Sequence, residues 1–288
     1  MIQARNKLSQ EELSEAKKLI NCCQAYAGTY RDPYLSNMLN FNPDMPAFLL
    51  YYEKGELVGL LTVYADDQDV EVAILVHPNH RRQGIARALY RSFEKETTSY
   101  PIESVTFQTE RVFLDRHPDF VSNWGLVEDE ETETWLGKDR RPYPLATVSN
   151  LDVLLADRSY QDQISQLKFQ AFSEEHESKE VVDRYVAKAL KDPESRLYIL
   201  LKNGHVIGTC TVDLSSNTNY LYGLAIAELE RGQGYGSYLA KSLVNKLIEQ
   251  NNKEFQIAVE DSNVGAKRLY EKIGFVKQTQ VVYLNAKE

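Results

Sequence analysis

The chain has 288 residues, 43% hydrophobic and 26% charged, enough for one large domain or two ordinary ones with sizeable cores. No apolar run approaches the roughly 18 residues of a membrane span, and 33 Lys and Arg against 42 Asp and Glu leave a net charge of -9. That balance argues against sequence-independent nucleic-acid binding and is compatible with a cationic substrate. Cys22, Cys23 and Cys210 are odd in number and form no CxxC, so neither a disulfide framework nor a structural zinc site is indicated. With a start, MIQARNKLSQEEL, that lacks the apolar core of a signal peptide, the expectation is a reducing, cytoplasmic setting.

In chain order, LSQEELSEAKKLINCCQAY predicts an amphipathic helix behind the capping Ser9, with a counterpart over 160–172. Two extended runs and a tight turn follow in each half. In the second half they are RLYILLK and HVIGTCTV around Asn203-Gly204, a strong hairpin signal. The run 221–227 reads as a buried strand that leads into ELERGQGYG. The next helix puts Leu239, Leu243 and Leu247 on one face, ready to pack on a sheet. Phe255 to Val259 is another strand, the next helix runs through Leu269 and Tyr270 to a stop at Gly274, and QVVYLN is a last strand. Hairpins followed by strand–helix–strand predict an α/β fold with a mixed sheet in each half.

The halves repeat. VEVAILVHPNHRRQGIARALYRSF aligns with YLYGLAIAELERGQGYGSYLAKSL, so that Arg81, Gly84 and Ala86 match Arg231, Gly234 and Gly236 at 231 − 81 = 150. Upstream, KGELVGLLTVY faces NGHVIGTCTVD, with Gly55 and Gly204 at 204 − 55 = 149. Two duplicated domains are expected, at 1–140 and 146–288, joined through the Pro-containing, charged GKDRRPYPLAT.

In Arg231-Gly232-Gln233-Gly234-Tyr235-Gly236 the glycines permit positive φ and close approach of a ligand to the backbone. The first helical N–H groups lack partners and the helix dipole is positive there, a cradle suited to a pyrophosphate. A P-loop fails because Ser237-Tyr238 follows the last glycine, and GxGxG in mid-domain is not a dinucleotide fingerprint. A glycine-rich helix start without a ligand is the plain alternative, and recurrence of the loop in both halves weighs against it.

These loops resemble the acetyl-CoA pyrophosphate loop, Q/R-x-x-G-x-G/A, of the GNAT N-acetyltransferase superfamily. VEDSNVGAKRLYEKIGF resembles the family's later motif, with Asn263, Ala266, Leu269, Tyr270, Gly274 and Phe275 in its positions. The resemblance implies two tandem GNAT domains, each a mixed, mostly antiparallel sheet flanked by helices. It implies an N-acetyltransferase that moves an acetyl group from acetyl-CoA to a primary amine of a small molecule or peptide. Arg231, Gly232, Gln233, Gly234, Tyr235, Gly236 and Ser237 would cradle the cofactor, as would Arg81, Arg82, Gln83, Gly84, Ile85 and Ala86 in the first half. Backbone amides of Leu224, Ala225 and Ile226 would meet the pantetheine and the thioester oxygen. Asn263 would contact the cofactor arm, or cap the next helix, or both. Tyr270 would be the catalytic general acid, in competition with a simple packing role on the sheet.

The first half keeps the cradle and loses the chemistry motif. RVFLDRHPDFVSNWGL has Val121 for the tyrosine, and Pro118 interrupts the helix. Chemistry is therefore expected in the C-terminal domain. Glu71 on the first half's strand faces Leu221 at an offset of 150. No base is assigned: Glu228, Glu230 and Glu260 are candidates beside a water relay. The run of Glu174, Glu175, Glu177 and Glu180 is an acidic surface or the rim of a site for a cationic amine. His77-x-x-His80 has metal-like spacing and no third ligand, so no metal is expected. The alternative function is a non-catalytic acyl-CoA-binding or regulatory protein; neither nucleic acid nor membrane is expected as a partner.

Overall fold

The computed structural model describes residues 1–146, 148–172 and 178–287. It divides into two compact units, Met1–Trp135 with Glu260–Ser262 and Gln278–Glu288, and Leu136–Val259 with Asn263–Lys277.

The first unit's elements run β1 (Ile2–Arg5), α1 (Gln10–Ala27), β2 (Phe48–Glu53), β3 (Glu56–Tyr64), β4 (Asp69–Val76), α2 (Ile85–Thr97), β5 (Ser104–Glu110), α3 (Arg111–Arg116), α4 (Phe120–Trp124) and β6 (Leu126–Lys138). Ser9 starts α1 with a full capping box: it accepts from Glu12 N, and Glu12 accepts from Ser9 N. Strands β1 to β4 pair antiparallel in sequence order. β4 and β5 pair parallel, from Asp69↔Ser104 to Val72↔Phe107. Helix α1 covers one face with Ala16, Leu19, Ile20 and Cys23, and α2 the other with Ile85, Leu89 and Phe93. Pro118 lies between α3 and α4, so two short helices stand where the second unit has one.

The second unit continues with β7 (Leu151–Leu155), α5 (Gln161–Phe172), α6 (Lys179–Ala189), β8 (Ser195–Lys202), β9 (His205–Asp213), β10 (Asn219–Ile226), α7 (Tyr235–Gln250), β11 (Phe255–Glu260) and α8 (Val264–Lys272). Asn203 and Gly204 turn the β8–β9 hairpin at φ 51 and 81, both left-handed, as a primed turn requires. β10 pairs antiparallel with β9 and parallel with β11, the same order as in the first unit. Leu239, Leu243 and Leu247 of α7 are fully buried against Val212, Leu221, Phe255 and Ile257, while α5 and α6 pack on Leu197, Ile199 and Leu201.

Two features depart from a simple duplication. The last strand, β12 (Val276–Ala286), does not close the second half as its sequence position suggests. Its residues Val281–Leu284 pair antiparallel with Glu110–Phe107 of β5, and Val282 and Leu284 enter the first unit's core. The compact units are therefore not two contiguous stretches of sequence.

The second departure is a β-bulge. β4 pairs with β3 without a break, whereas the β10 register shifts between Tyr222 and Ala225. One extra residue is accommodated there, and this is where the repeat offset grows from 149 to 150. Register also corrects a correspondence: Tyr64 pairs with Glu71 and Asp213 with Tyr220, so Tyr220, rather than Leu221, stands at the Glu71 position.

Leu243 is fully buried at the centre of the second unit's helix–sheet contact. Leu243→Ala should lower the unfolding free energy by about 2–5 kcal/mol in urea denaturation, through lost transfer energy and a residual cavity. A change below about 0.5 kcal/mol, the scale of surface substitutions, would contradict this packing.

Candidate active site

Each unit presents one strand–loop–helix cradle. After β4 the chain makes a 3-10 turn (Pro78–His80), and after β10 an equivalent turn (Glu228–Glu230). Arg81 Nε donates to Val76 O at 3.1 Å, and Arg231 Nε donates to Ile226 O at 3.0 Å, so each arginine ties its loop back to its strand. Gly84 (φ 83, ψ 2) and Gly234 (φ 86, ψ 1) then enter α2 and α7. A Cβ at either glycine meets nothing within 4 Å, so the left-handed φ, and not crowding, calls for glycine. Neither helix start has a side-chain cap, leaving first-turn N–H groups for an anion. At Gly236 the demand is steric: a Cβ would lie 2.9 Å from Leu269 Cδ1.

The surroundings differ between the units. In the first, the cradle opens into a cavity of about 740 Å³ lined by Arg81, Arg82 and Gly84 to Arg87, by β4 from Val72 to Val76, and by β5 from Phe107 to Glu110. It begins where the β4–β5 pairing stops, at Val72↔Phe107. Arg87 and Arg116 add positive charge, and Arg81 lies 5.0 Å from the Tyr26 ring centroid. Burial and the neighbouring Arg81, Arg82 and Arg116 hold His117 below the usual imidazole pKa. Burial pushes the Cys23 thiol up to about 11, so this wall residue is a protonated thiol that donates to Val76 O. A long cavity with cationic groups and uncapped amides at one end fits a ligand that carries a diphosphate on an extended arm.

Glu71 lies beside this cavity and receives a hydrogen bond from Gln108, which lines it. Burial pushes Glu71 up to about 7; Arg31 opposes the shift, while Glu133, Asp66 and Asp67 add to it.

In the second unit, Tyr270 of α8 is only 5% exposed and belongs to the core. Burial, then Cys210, raises its phenol well above the usual range, so it stays protonated. Its hydroxyl has no hydrogen-bond partner among the described residues. Asn263 caps α8 by accepting from Ala266 N at 3.0 Å. Leu224 lies within the bulge, and Ala225 and Ile226 resume the pairing with β9 opposite Thr209 and Gly208. Gly232, Gln233 and Gly234 are exposed, and Tyr235 and Ser237 are half-buried in the first turn of α7. In the first unit, Gln83 Nε2 donates to Asn79 O, Ile85 is buried and Ala86 is half-buried.

Among the base candidates, Glu230 is held by Lys202 at 2.8 Å and Glu228 is exposed on its turn. Glu260 is exposed at the end of β11, as expected, and belongs to the first unit. Glu180 is exposed at the start of α6; Glu174, Glu175 and Glu177 lie outside the described residues. His77 Nδ1 accepts from Asn79 N, and His80 Nδ1 lies 2.9 Å from Glu53. No group of three metal-ligating side chains occurs among the described residues, nor does a helix long and apolar enough to cross a membrane.

Sequence reasoning passed over Lys168. It is 5% exposed on α5, and its Nζ lies 3.5 Å from Gly223 O at the bulge. Burial pushes it down to about 8. The signal was present: Ile164, Leu167 and Lys168 share the i, i+3, i+4 spacing of a buried helix face.

Fold and site together define one strand–loop–helix architecture, built twice. The sequence profile described as "Acetyltransferase (GNAT) family" matches residues 13–139 and again 161–275. The chain belongs to this family, with two GNAT domains, and is an acyltransferase. A mycothiol acetyltransferase of Clavibacter sepedonicus is 26% identical over 230 residues, covering 76% of this chain and 73% of the relative. A putative ribosomal protein bS18-alanine N-acetyltransferase of Bacillus subtilis (strain 168) is 28% identical over 92 residues, 32% of this chain and 61% of that one. A GCN5-related N-acetyltransferase from Sphaerobacter thermophilus has the same fold, with a TM-score of 0.70 at 17% identity over 99% of this chain and 94% of that one. So does a tandem GNAT protein from the clavulanic acid biosynthesis pathway, at 0.68 and 16% over 100% and 99%.

The Glu71 environment predicts a pH effect on stability. Its folded pKa, about 7, stands above the ordinary carboxyl value of 4.5, so its stabilising contribution is complete below 4.5 and lost as pH rises through 7. Glu71→Gln removes that loss. Relative to the parent, the variant should gain up to about 3 kcal/mol between pH 5 and pH 8 in urea denaturation. A difference that is constant with pH would contradict the buried carboxyl.

Proposed function

We propose that the protein is an acetyl-CoA-dependent N-acetyltransferase acting on a primary amine of a small molecule or peptide. The observation that carries this reading is the pair of superimposable helix entries, Gly84 at φ 83, ψ 2 and Gly234 at φ 86, ψ 1, each behind an arginine tied to its strand. Such entries aim uncapped amides at a diphosphate. In the first unit they lead to a cavity large enough for an extended arm. When bound, acetyl-CoA supplies an activated acyl thioester.

The chain's own groups have unequal tasks. An amine with pKa near 10.4 costs about 4–5 kcal/mol to deprotonate at pH 7, whereas a thiolate with pKa near 8.5 leaves readily. Amine deprotonation is the larger demand. Backbone N–H groups of Leu224 to Ile226, beside the bulge, are assigned to the carbonyl oxygen as it gains negative charge. Tyr270 is assigned to the departing sulfur. Its raised pKa makes full proton transfer uphill, so its contribution is a hydrogen bond donated to the thiolate. Three free thiols, Cys22, Cys23 and Cys210, accord with a reducing cytoplasmic setting.

A second reading places turnover in the first unit, with Glu71 as base. It is favoured by a carboxyl with pKa near 7 hydrogen-bonded to the cavity wall. Thiol release from acetyl-CoA over an amine panel separates the two. Under the first reading Tyr270→Phe lowers kcat by about 10-fold or more with unchanged acetyl-CoA affinity, and Glu71→Gln leaves kcat within about 3-fold. Loss of turnover in Glu71→Gln alone would move the chemistry to the first unit. No turnover on any amine despite tight acetyl-CoA binding would contradict both, in favour of a binding protein.

A further inference from the structure

Lys168 stands apart from the other lysines of the chain. It projects from α5 into the core side of the second unit, and its Nζ reaches the carbonyl of Gly223, in the bulge of β10. The fit is tight: a Cβ at Gly223 would lie 2.6 Å from Nζ, so a larger residue there would displace the amine. The ring centroids of Phe172 and Tyr185 lie 5.7 and 5.8 Å from Nζ, and no carboxylate pairs with it among the described residues. A cationic amine is thus held by aromatic faces and one carbonyl, a setting of the kind that recognises ammonium ligands. It lies two residues from Ala225, on the strand segment that the proposed function assigns to the acyl carbonyl.

We propose that Lys168 is an intramolecular acyl acceptor: the second unit transfers an acetyl group from acetyl-CoA to the Lys168 Nζ. The inference rests on the reading that the Gly234 cradle holds acetyl-CoA. In the step, the neutral Nζ lone pair forms a C–N bond to the thioester carbonyl carbon and the C–S bond breaks. Coenzyme A leaves as the thiolate, and the proton lost by nitrogen passes to solvent or to that sulfur. The products are an acetyl-lysine amide and free coenzyme A.

Four features favour the step. The amine is held beside the reacting strand, so the encounter is intramolecular. Burial lowers its pKa to about 8, so about a tenth of it is neutral at pH 7. The Cys210 thiol that faces it from β9 carries no charge that would hold the ammonium, since burial pushes that thiol up to about 12. Finally, acetylation exchanges a buried charge, without a carboxylate partner among the described residues, for a neutral amide that the same apolar setting tolerates far better.

The test uses the full chain with acetyl-CoA and no added amine, read by intact mass and peptide mapping, with calorimetric titration of acetyl-CoA in parallel. The expected result is one acetyl group on Lys168, formed about a hundredfold faster than on exposed surface lysines, as expected of a held nucleophile. It should be absent from Lys168→Arg and strongly slowed in Gly234→Val, with the surface background unchanged in both. Binding at the Gly234 cradle without acetylation of Lys168 would overturn this inference and leave the proposed function standing. Acetylation of Lys168 at an equal rate in Gly234→Val would overturn it as uncatalysed chemistry. Titration heat that Gly234→Val leaves unaltered would overturn both this inference and the cradle reading beneath it.

Discussion

The molecule depends on two helix beginnings that lack a cap. α2 and α7 each start from a glycine in the left-handed region, with no side chain to satisfy the first-turn N–H groups. An uncapped start typically costs about 0.5–2 kcal/mol relative to a Ser or Asp cap, and the chain accepts that cost twice. Ser9, Ser178 and Asn263 cap α1, α6 and α8 with ordinary side-chain bonds, while the short α3 and α4 also start without one. What sets α2 and α7 apart is the strand, anchored arginine and glycine turn that lead into their open amides, an arrangement suited to an anionic ligand.

Around this shared device the two units have diverged. The first keeps an even β4, a half-buried Glu71 and a roomy cationic cavity, but its chemistry helix is broken at Pro118 and has Val121 in place of a tyrosine. The second has the bulge in β10, the intact α8 with Tyr270, and a lysine at the bulge. An inserted strand residue exposes backbone amides and turns side chains locally, which is how bulges commonly shape sites. Carboxylate and tyrosine thus stand in different units, the carboxylate beside the cavity and the tyrosine in the helix–sheet core.

Much of this was legible in the sequence because it rests on local chemistry. The Ser9 capping box, the Asn203-Gly204 turn, the cradle glycines and the buried leucines of α7 all follow from short-range rules. The change of offset from 149 to 150 was visible too, but locating it at Tyr222–Ala225 needed the strand register, as did assigning Tyr220 to the Glu71 position. The pairing of β12 with β5 is a long-range choice: QVVYLN reads as a strand, and nothing in its alternation names its neighbour. Lys168 escaped because lysine on a helix is ordinarily solvent-facing, although its spacing with Ile164 and Leu167 put it on the buried side.

The central claim is that first-turn amides of α2 and α7 grip the cofactor's diphosphate. Hydrogen exchange read at single-amide resolution, with and without saturating acetyl-CoA, addresses those groups directly. The account predicts slowed exchange at Ile85 to Arg87 and at Tyr235 to Ser237, with the distant α6 amides unchanged. Unaltered exchange at both helix starts under demonstrated saturation would contradict it.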